Sequence, residues 1–274
     1  MGTLVLVSTP IGNLGDLPPR AVEALAAADL VCCEDTRRSG RLLQHAGISA
    51  RRLRRVDDHT EHTATPEVLE ILGAGGTVAV VTDAGTPGIS DPGHRLVTAA
   101  ISAGHNVSAV PGPAALVMAL VISGLPADRF VFEGFLPRTG TTRTERLIEV
   151  AAERRTLVLY EAPHRVARTV SDLAAHCGGG RRIALCRELT KMHEEVWRGS
   201  LDEAVQHLAT TEPIGEFVLV LEGAPDAAPV GDDDVVGLLR EAIASGMSKR
   251  DAAAHVAGQT GRPKRLVYSL ALPL

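Results

Sequence analysis

The sequence predicts an α/β protein with two successive sheets and a small helical tail. Three observations carry this expectation. Apolar runs of strand length alternate with Ala/Leu-rich stretches of helical period. Polar or Gly/Pro clusters follow the strands. The alternation breaks twice, at Gly124-Leu125-Pro126 and again between Ala224 and Asp234. With 274 residues the chain has room for one large domain or two of ordinary size.

In order, Thr3 to Val7 reads as a strand, Arg20 to Ala28 as a helix, and Leu30 to Cys33 as a strand. Arg41 to Ala46 is helical, Leu53 to Val56 a short strand, and Pro66 to Gly73 a helix. Val78 to Val81 is a strand, Gly93 to Ala103 a helix, Val107 to Val110 a strand, and Ala114 to Ser123 a helix. This βα alternation predicts a mostly parallel sheet with helices on both faces. In the second series the strands are Phe130 to Phe132, Thr156 to Tyr160, Ile183 to Cys186, Glu195 to Trp197 and Phe217 to Leu221. Helices fill Thr142 to Glu153, Arg165 to His176 and Leu201 to Ala209. The later strands follow one another closely, so this sheet is expected to be mixed, with antiparallel pairs.

The stretch from Ala224 to Asp234, with two Pro, one Gly and three consecutive Asp, reads as a linker. Beyond it, Val235 to Ser245 is helical. Ser248 caps a helix through Ala257, Gly258 to Gly261 makes a turn, and Pro263 opens a third helix to Leu270. Lys249, Arg250, Arg262, Lys264 and Arg265 make this tail locally basic; the pattern alone favours a small solvated bundle that caps the sheet, with a helix-turn-helix-like module as the other reading. The division expected is 1–118, 119–224 and 225–274.

Hydrophobic residues make up 45% and charged residues 22%, ordinary for a soluble globular chain. Aromatics are only 3%, so Ala, Val, Leu and Ile must build the core. A net charge of −5 gives no global nucleic-acid footprint, but leaves room for a local basic face. Cys32, Cys33, Cys177 and Cys186 form no Cys-x-x-Cys pair, which argues against zinc and for reduced thiols in a cytoplasmic protein. Strand-like sequence by Thr3, with no basic region before it, argues against a signal peptide. Leu96 to Ala127 carries no Asp, Glu, Lys or Arg. It is broken by Gly104-His105-Asn106 and Pro111-Gly112-Pro113, so it reads as buried elements, not as the roughly 20-residue span a membrane needs.

Several familiar chemistries fail on spacing. There is no Gly-x-x-x-x-Gly-Lys phosphate loop, and no Gly-x-Gly-x-x-Gly follows the first strand. Pro92 stands where a nucleophile elbow around Ser90 would need Gly. His59 and His62 have no third metal ligand nearby.

Six strand-end clusters remain. Thr9-Pro10-Ile11-Gly12-Asn13-Leu14 follows the first strand and Glu34-Asp35-Thr36-Arg37-Arg38 the second. Asp83-Ala84-Gly85 and Pro111-Gly112-Pro113-Ala114-Ala115 follow the fourth and fifth. Glu161-Ala162-Pro163-His164-Arg165 and Arg187-Glu188-Leu189-Thr190-Lys191 occupy the second half. On the carboxyl ends of strands, such clusters predict a ligand crevice between two α/β domains. The most informative is Val81 to Gly93, where a buried strand ends in an acid followed by turn-formers. Its acid is placed to accept hydrogen bonds, and its glycines let a ligand approach the backbone.

Ser8 to Asp16 and Glu34-Asp35-Thr36-Arg37 resemble the N-terminal signature of the RsmI-type 16S rRNA (cytidine-2′-O)-methyltransferases, in the tetrapyrrole-methylase superfamily. Thr82 to Gly93, Val110 to Ala115, Tyr160 to Arg165 and Cys186 to Glu194 are similar to it too. The resemblance covers roughly residues 3 to 223, and the tail is similar to the family's C-terminal module. Ala84-Gly85-Thr86-Pro87 stands where tetrapyrrole methylases show Asp-Pro directly, which favours the rRNA branch. Ala114-Ala115 replaces a Ser common after the Pro-Gly.

The resemblance implies two α/β domains of the class III S-adenosylmethionine (SAM) methyltransferase type, SAM in the cleft between them, a homodimer, and 16S rRNA in the small ribosomal subunit as substrate. It implies SAM contacts from Pro10, Asp83, Ala84, Gly85, Ile89, Pro111, Gly112, Ala114 and Ala115, with Tyr160, Leu189 and Glu222 closing the pocket. A ribose hydroxyl is a poor nucleophile, so a base or cation is expected beside it. Candidates for the base are Glu34, Asp35, Glu161, His164 and Glu188; Arg37, Arg165, Arg187 and Lys191 are placed to orient phosphates. Glu34 with Arg37 is the expected ribose site. Arg37, Arg38, Arg41, Arg51, Arg52, Arg54 and Arg55, with the basic tail, supply the cationic surface RNA requires. Two other readings remain: a tetrapyrrole C-methyltransferase of the same fold, and an RNA-binding factor that does not bind SAM.

Overall fold

The computed structural model describes residues 1–49, 52–57, 59–225 and 231–274. Arg51 and linker residues 226–230 lie outside them. Residues 1–224 form one compact unit and 225–274 another.

The first sheet has strands β1 (Thr3–Val7), β2 (Leu30–Cys33), β3 (Leu53–Arg55), β4 (Thr77–Val80) and β5 (Asn106–Val110) in the order β3-β2-β4-β1-β5, every pair parallel. All four residues of β2 are buried, which explains its unbroken apolar sequence. Leu30 and Cys32 pack with α3 (Glu61–Gly73) and α4 (His94–Ser102) on one face. Val31 and Cys33 pack with α1 (Pro19–Ala27) and α2 (Thr36–His45) on the other. The period-two alternation of a strand thus feeds two cores.

The second sheet has β6 (Phe130–Phe135), β7 (Thr156–Glu161), β8 (Arg182–Arg187), β9 (Glu195–Ser200) and β10 (Phe217–Leu221) in the order β6-β7-β10-β8-β9. Only β6 and β7 pair in parallel; β10 runs antiparallel between β7 and β8. Leu157, Leu159 and Leu219 pack under α6 (Thr141–Ala152), α7 (Pro163–Cys177) and α8 (Leu201–Thr210). Val158, Cys186 and Val218 face α5 (Ala115–Ile122) through Leu116, Ala119 and Leu120. Helix α5, which leaves the first sheet, is therefore part of the second sheet's core.

In the unit 225–274, α9 (Asp232–Ala244), α10 (Lys249–Thr260) and α11 (Lys264–Ala271) close a small core around Val235, Leu239, Val256 and Val267. The Ser248 side chain caps α10 by accepting from the Asp251 amide at 3.2 Å.

Three expected boundaries move, each for a local reason. Helix α2 begins at Thr36, not Arg41, because the Asp35 carboxylate accepts the Arg37 amide at 2.8 Å and starts the helix. Helix α3 begins at Glu61 and carries Pro66 inside it; Asp57 gathers the His59 and Thr60 amides just ahead of it. Helix α10 continues through Gly258 to Thr260, and the turn is made by Gly261 in the left-handed conformation, φ 67°.

Candidate functional site

A cavity of about 480 Å³ opens where the strand-end loops of the two sheets meet, within the roughly 300–1,000 Å³ typical of small-molecule clefts. The loop after β4 forms one wall. It is pinned at its start by a two-residue bridge: the Thr9 amide donates to the Gly85 carbonyl at 2.8 Å, and the Gly85 amide to Thr9 at 3.0 Å. Thr9 Oγ1 also donates to the Thr82 carbonyl, and Thr86 Oγ1 to the Pro113 carbonyl. At its far end the buried Glu61 carboxylate accepts the Gly93 and Leu96 amides, both at 3.1 Å, and so caps α4 from α3.

Asp83, Ala84, Gly85 and Ile89 line this wall, as do Ala114 and Ala115 at the start of α5. Pro10, Pro111 and Gly112 do not; they belong to the strand ends behind the wall. Asp83 lies partly exposed in the cavity, with Oδ1 accepting the Asp35 amide at 3.1 Å and Oδ2 3.4 Å from Arg38 Nη1. Glu34 also lines the cavity and accepts from Thr82 Oγ1 at 3.4 Å. Asp35 and Arg37 stand outside it, paired with each other through two hydrogen bonds. The Arg37 guanidinium holds the Asp35 carboxyl well below the usual carboxylate range.

The opposite wall comes from the second sheet. Tyr160 Oη accepts the Leu116 amide at 3.2 Å. Burial pushes its phenol pKa up, the Leu116 amide opposes this, and the charge of Asp91 adds to the rise. Glu161 lines the cavity but is almost fully buried and committed: it accepts from Thr169 Oγ1 at 2.6 Å and from the Ala162 amide at 2.9 Å, with Arg165 Nε at 3.2 Å. His164 is exposed in the first turn of α7.

Leu189 and Lys191 close the cavity from the loop after β8. Glu188 and Thr190, on either side of Leu189, have φ of 52° and 67°, a left-handed geometry costing about 1–3 kcal/mol per non-glycine residue. The surroundings hold it. The Asn13 amide donates to Thr190 Oγ1 at 3.1 Å, and Lys191 Nζ donates to Glu188 at 2.7 Å and Glu216 at 2.8 Å. Glu188 lies outside the cavity. Burial pushes its carboxyl pKa up, but hydrogen bonds from Lys191 and the Glu216 amide outweigh this and leave it lowered. Arg187 is paired with Glu195 at 3.0 Å.

Glu222, a fourth expected SAM contact, also lies off the cavity lining; it pairs with Arg182 at the far end of the sheet. Because β10 is antiparallel, its first residues, Phe217 and Val218, reach the cavity and its carboxyl end points away. Sequence reasoning also passed over Phe135 and Asp91, both of which line the cavity. Phe135 follows a glycine inside an aromatic strand, a signal of a bulge; Asp91 lay within the most informative motif. Among the described residues, no group of three or more His, Cys, Asp or Glu is arranged to hold a metal ion.

Two five-stranded α/β sheets joined through a shared helix, with a cleft at their strand ends, define the class of protein. Residues 3–205 match the family Tetrapyrrole (Corrin/Porphyrin) Methylases, and residues 229–274 match the RsmI C-terminal HTH domain. The chain is 47% identical over 276 aligned residues to a ribosomal RNA small subunit methyltransferase I of Synechocystis sp., covering 100% of this chain and 99% of the relative. Its fold is similar to that of the methyltransferase CobJ, with TM-score 0.61 and 22% identity over 84% of this chain and 98% of the other. It is also similar to a uroporphyrin-III C-methyl transferase of Thermus thermophilus complexed with S-adenyl homocysteine, with TM-score 0.56 and 19% identity over 81% and 97%. The chain belongs to the tetrapyrrole methylase family and, within it, to the ribosomal RNA small subunit methyltransferase I group.

Proposed function

We propose that this protein is a SAM-dependent methyltransferase that methylates the 2′-hydroxyl of a cytidine ribose in the decoding region of 16S rRNA, acting in the cytoplasm. The observation that carries the reading is the cavity itself, which joins the strand-end loops of both sheets in a chain so similar to an rRNA small-subunit methyltransferase along its whole length. The residues fit SAM. Ala114 and Ala115 leave room beside the backbone, Asp83 offers a carboxylate, and Ile11, Leu116 and Leu189 supply an apolar floor. SAM, when bound, supplies an electrophilic methyl on a sulfonium. The protein must hold the acceptor oxygen in line with it, and orientation alone removes much of the barrier.

Some of the candidate RNA-binding cations of each unit are neutralised within it. Arg52 and Arg54 pair with Glu67, Arg55 with Asp57, and Arg262 with Asp232. Arg41, Arg250, Lys264 and Arg265 are exposed and supply cationic surface for RNA phosphates. We keep the division into 1–118, 119–224 and a tail from 225; the first boundary falls inside α5.

The first test is transfer of labelled methyl from SAM to small ribosomal subunits lacking the modification. Label at a single 2′-O position, resistant to alkaline cleavage, is the expected result. SAM binding without transfer to rRNA would favour the tetrapyrrole C-methyltransferase reading.

The homodimer is supported by α5. Its inner side is buried in the second sheet's core, while Val117, Met118, Val121 and Ile122 stand exposed on its outer side. A helix apolar all round is one that is covered. Val121→Asp is expected to convert a dimer to a monomer in light scattering; a wild-type monomer would overturn the assignment. Among the described residues, no helix is long and apolar enough to cross a membrane.

A further inference from the structure

Beside the cavity, the loop after β1 meets the loop after β8. Among the described residues only three non-glycine residues have positive φ: Ser90, Glu188 and Thr190. Two of the three flank Leu189. Thr190 is the more strained of these, because a β-branched side chain crowds the left-handed backbone. A strained segment persists only where its surroundings over-determine it. Thr190 is fixed on two sides: its amide donates to the Glu194 carboxylate at 2.5 Å, and its Oγ1 accepts the Asn13 amide at 3.1 Å. The second bond spans 177 positions in sequence and ties the first sheet's loop to the second's.

Gly12 makes this meeting possible. A Cβ there would collide with Lys191 Cγ and would lie 2.8 Å from Thr190 Oγ1 and 3.2 Å from the Leu189 carbonyl oxygen. Lys191 cannot swing aside to admit it, because Nζ is held by Glu188 at 2.7 Å and by Glu216 at 2.8 Å. Only a residue without a side chain lets the two loops approach this closely.

The neighbours of this contact face the ligand. Ile11 precedes Gly12, Leu189 precedes Thr190, and both line the cavity. They come from loops of different sheets, yet both are buried in one apolar cluster with Leu116. The contact between the loops therefore sets the spacing of two floor residues. A radial gap of about 0.5–1 Å already forfeits roughly a quarter to a half of a dispersion contact, so that spacing bears directly on affinity.

We propose that Gly12 and Thr190 are positioning residues for SAM: their contact clasps the two loops and fixes Ile11 and Leu189 at the spacing the co-substrate needs. The inference rests on the SAM reading of the cleft and adds to it two residues that do not themselves line the cavity. The Thr190 hydroxyl acts through Leu189, and the bare backbone of Gly12 through Ile11. Gly12 and Asn13 are exposed. Water can replace the Thr190 hydroxyl at the Asn13 amide, so losing that bond costs the fold little.

The test uses the full-length protein, with calorimetry against SAM and thermal melts. Thr190→Val keeps the shape and the β-branch but removes the acceptor. It is expected to weaken SAM binding about 10-fold while melting within about 2 °C of wild type. Thr190→Ser keeps the hydroxyl and is expected to bind as the wild type does. Gly12→Ala drives a methyl between the loops and is expected to weaken binding about 10- to 100-fold. Should Gly12→Ala fail to fold, the two Thr190 variants decide. Wild-type affinity in folded Thr190→Val or folded Gly12→Ala would overturn the proposal, and so would weak binding in Thr190→Ser. A loss of affinity in Thr190→Val matched by a fall in melting temperature would make Thr190 a support of the fold at large, which also refutes it. If the wild-type protein does not bind SAM, the reading of the cleft fails and the clasp falls with it. Wild-type binding with unaltered variants refutes the clasp alone.

Discussion

Arg143→Ala is expected to melt roughly 10 °C below the wild type, the largest stability loss we foresee from a single substitution in this chain. Arg143 is 4% exposed on α6. Its Nε and Nη2 both donate to Asp172, at 2.9 and 2.8 Å, Nη1 donates to the Pro137 carbonyl at 2.8 Å, and Nη2 reaches Thr169 Oγ1 at 3.1 Å. Thr169 Oγ1 in turn donates a hydrogen bond to Glu161 at 2.6 Å. One guanidinium thus organises a helix, a loop and the buried acid at the cavity wall.

Removing Arg143 leaves the buried Thr169 and the Pro137 carbonyl without their donor, while Asp172, 31% exposed, is open to water. The loss expected is therefore about 3 kcal/mol, the low end for a broken buried pair. In a unit of this size that corresponds to several degrees per kcal/mol lost, summed to about 10 °C. Arg143→Lys keeps the charge but cannot span the same acceptors with one ammonium, and is expected to fall between the two. A thermal melt of Arg143→Ala within 2 °C of wild type, by an explicit margin of about 0.5–1 kcal/mol, would mean that solvent reaches the network freely. Arg143 and Arg165 hold the Pro137 and Leu136 carbonyls, the two residues after Phe135.

Much of this architecture was legible because burial writes itself into local pattern. β2 reads as four apolar residues because both its faces are covered, and β10 for the same reason. The strand-end clusters of Asp83 and Tyr160 were legible as a cleft because parallel strands bring their carboxyl ends to one edge. That rule also produced the misplacement of Glu222. The sequence of β10 does not state its direction, and only the pairing with β7 and β8 shows that its first residue, not its last, faces the cavity. Partner choice was equally hidden. Asp35 and Glu188 looked like cleft acids, yet one starts a helix and the other holds Lys191. Phe135 escaped notice because a period-two reading assigns it to the face opposite Phe132. The bulge that reverses this depends on one extra residue in a three-dimensional ladder.

Asp83→Ala is expected to weaken SAM binding about 10- to 100-fold, the range for a hydrogen bond to a charged group. The carboxylate faces the cavity and at the same time receives the Asp35 amide and lies near Arg38. Two roles are therefore entangled: contact with the ligand, and fixing the start of α2 beside it. Arg38→Met separates them. It removes the ion pair but leaves Asp83 and the Asp35 amide in place; Arg38 is exposed enough for the loss to cost little stability. If Asp83 touches SAM, Arg38→Met keeps near-wild-type affinity while Asp83→Ala loses it, and calorimetry reads the difference directly. Equal losses in both variants would make Asp83 a scaffold for α2. Asp83→Asn sharpens the distinction: an amide can still accept the Asp35 N–H through its oxygen, but it presents no charge to the ligand. Affinity lost in Asp83→Asn with an unchanged melting temperature would assign the carboxylate to SAM, whereas a parallel fall in both would assign it to the fold.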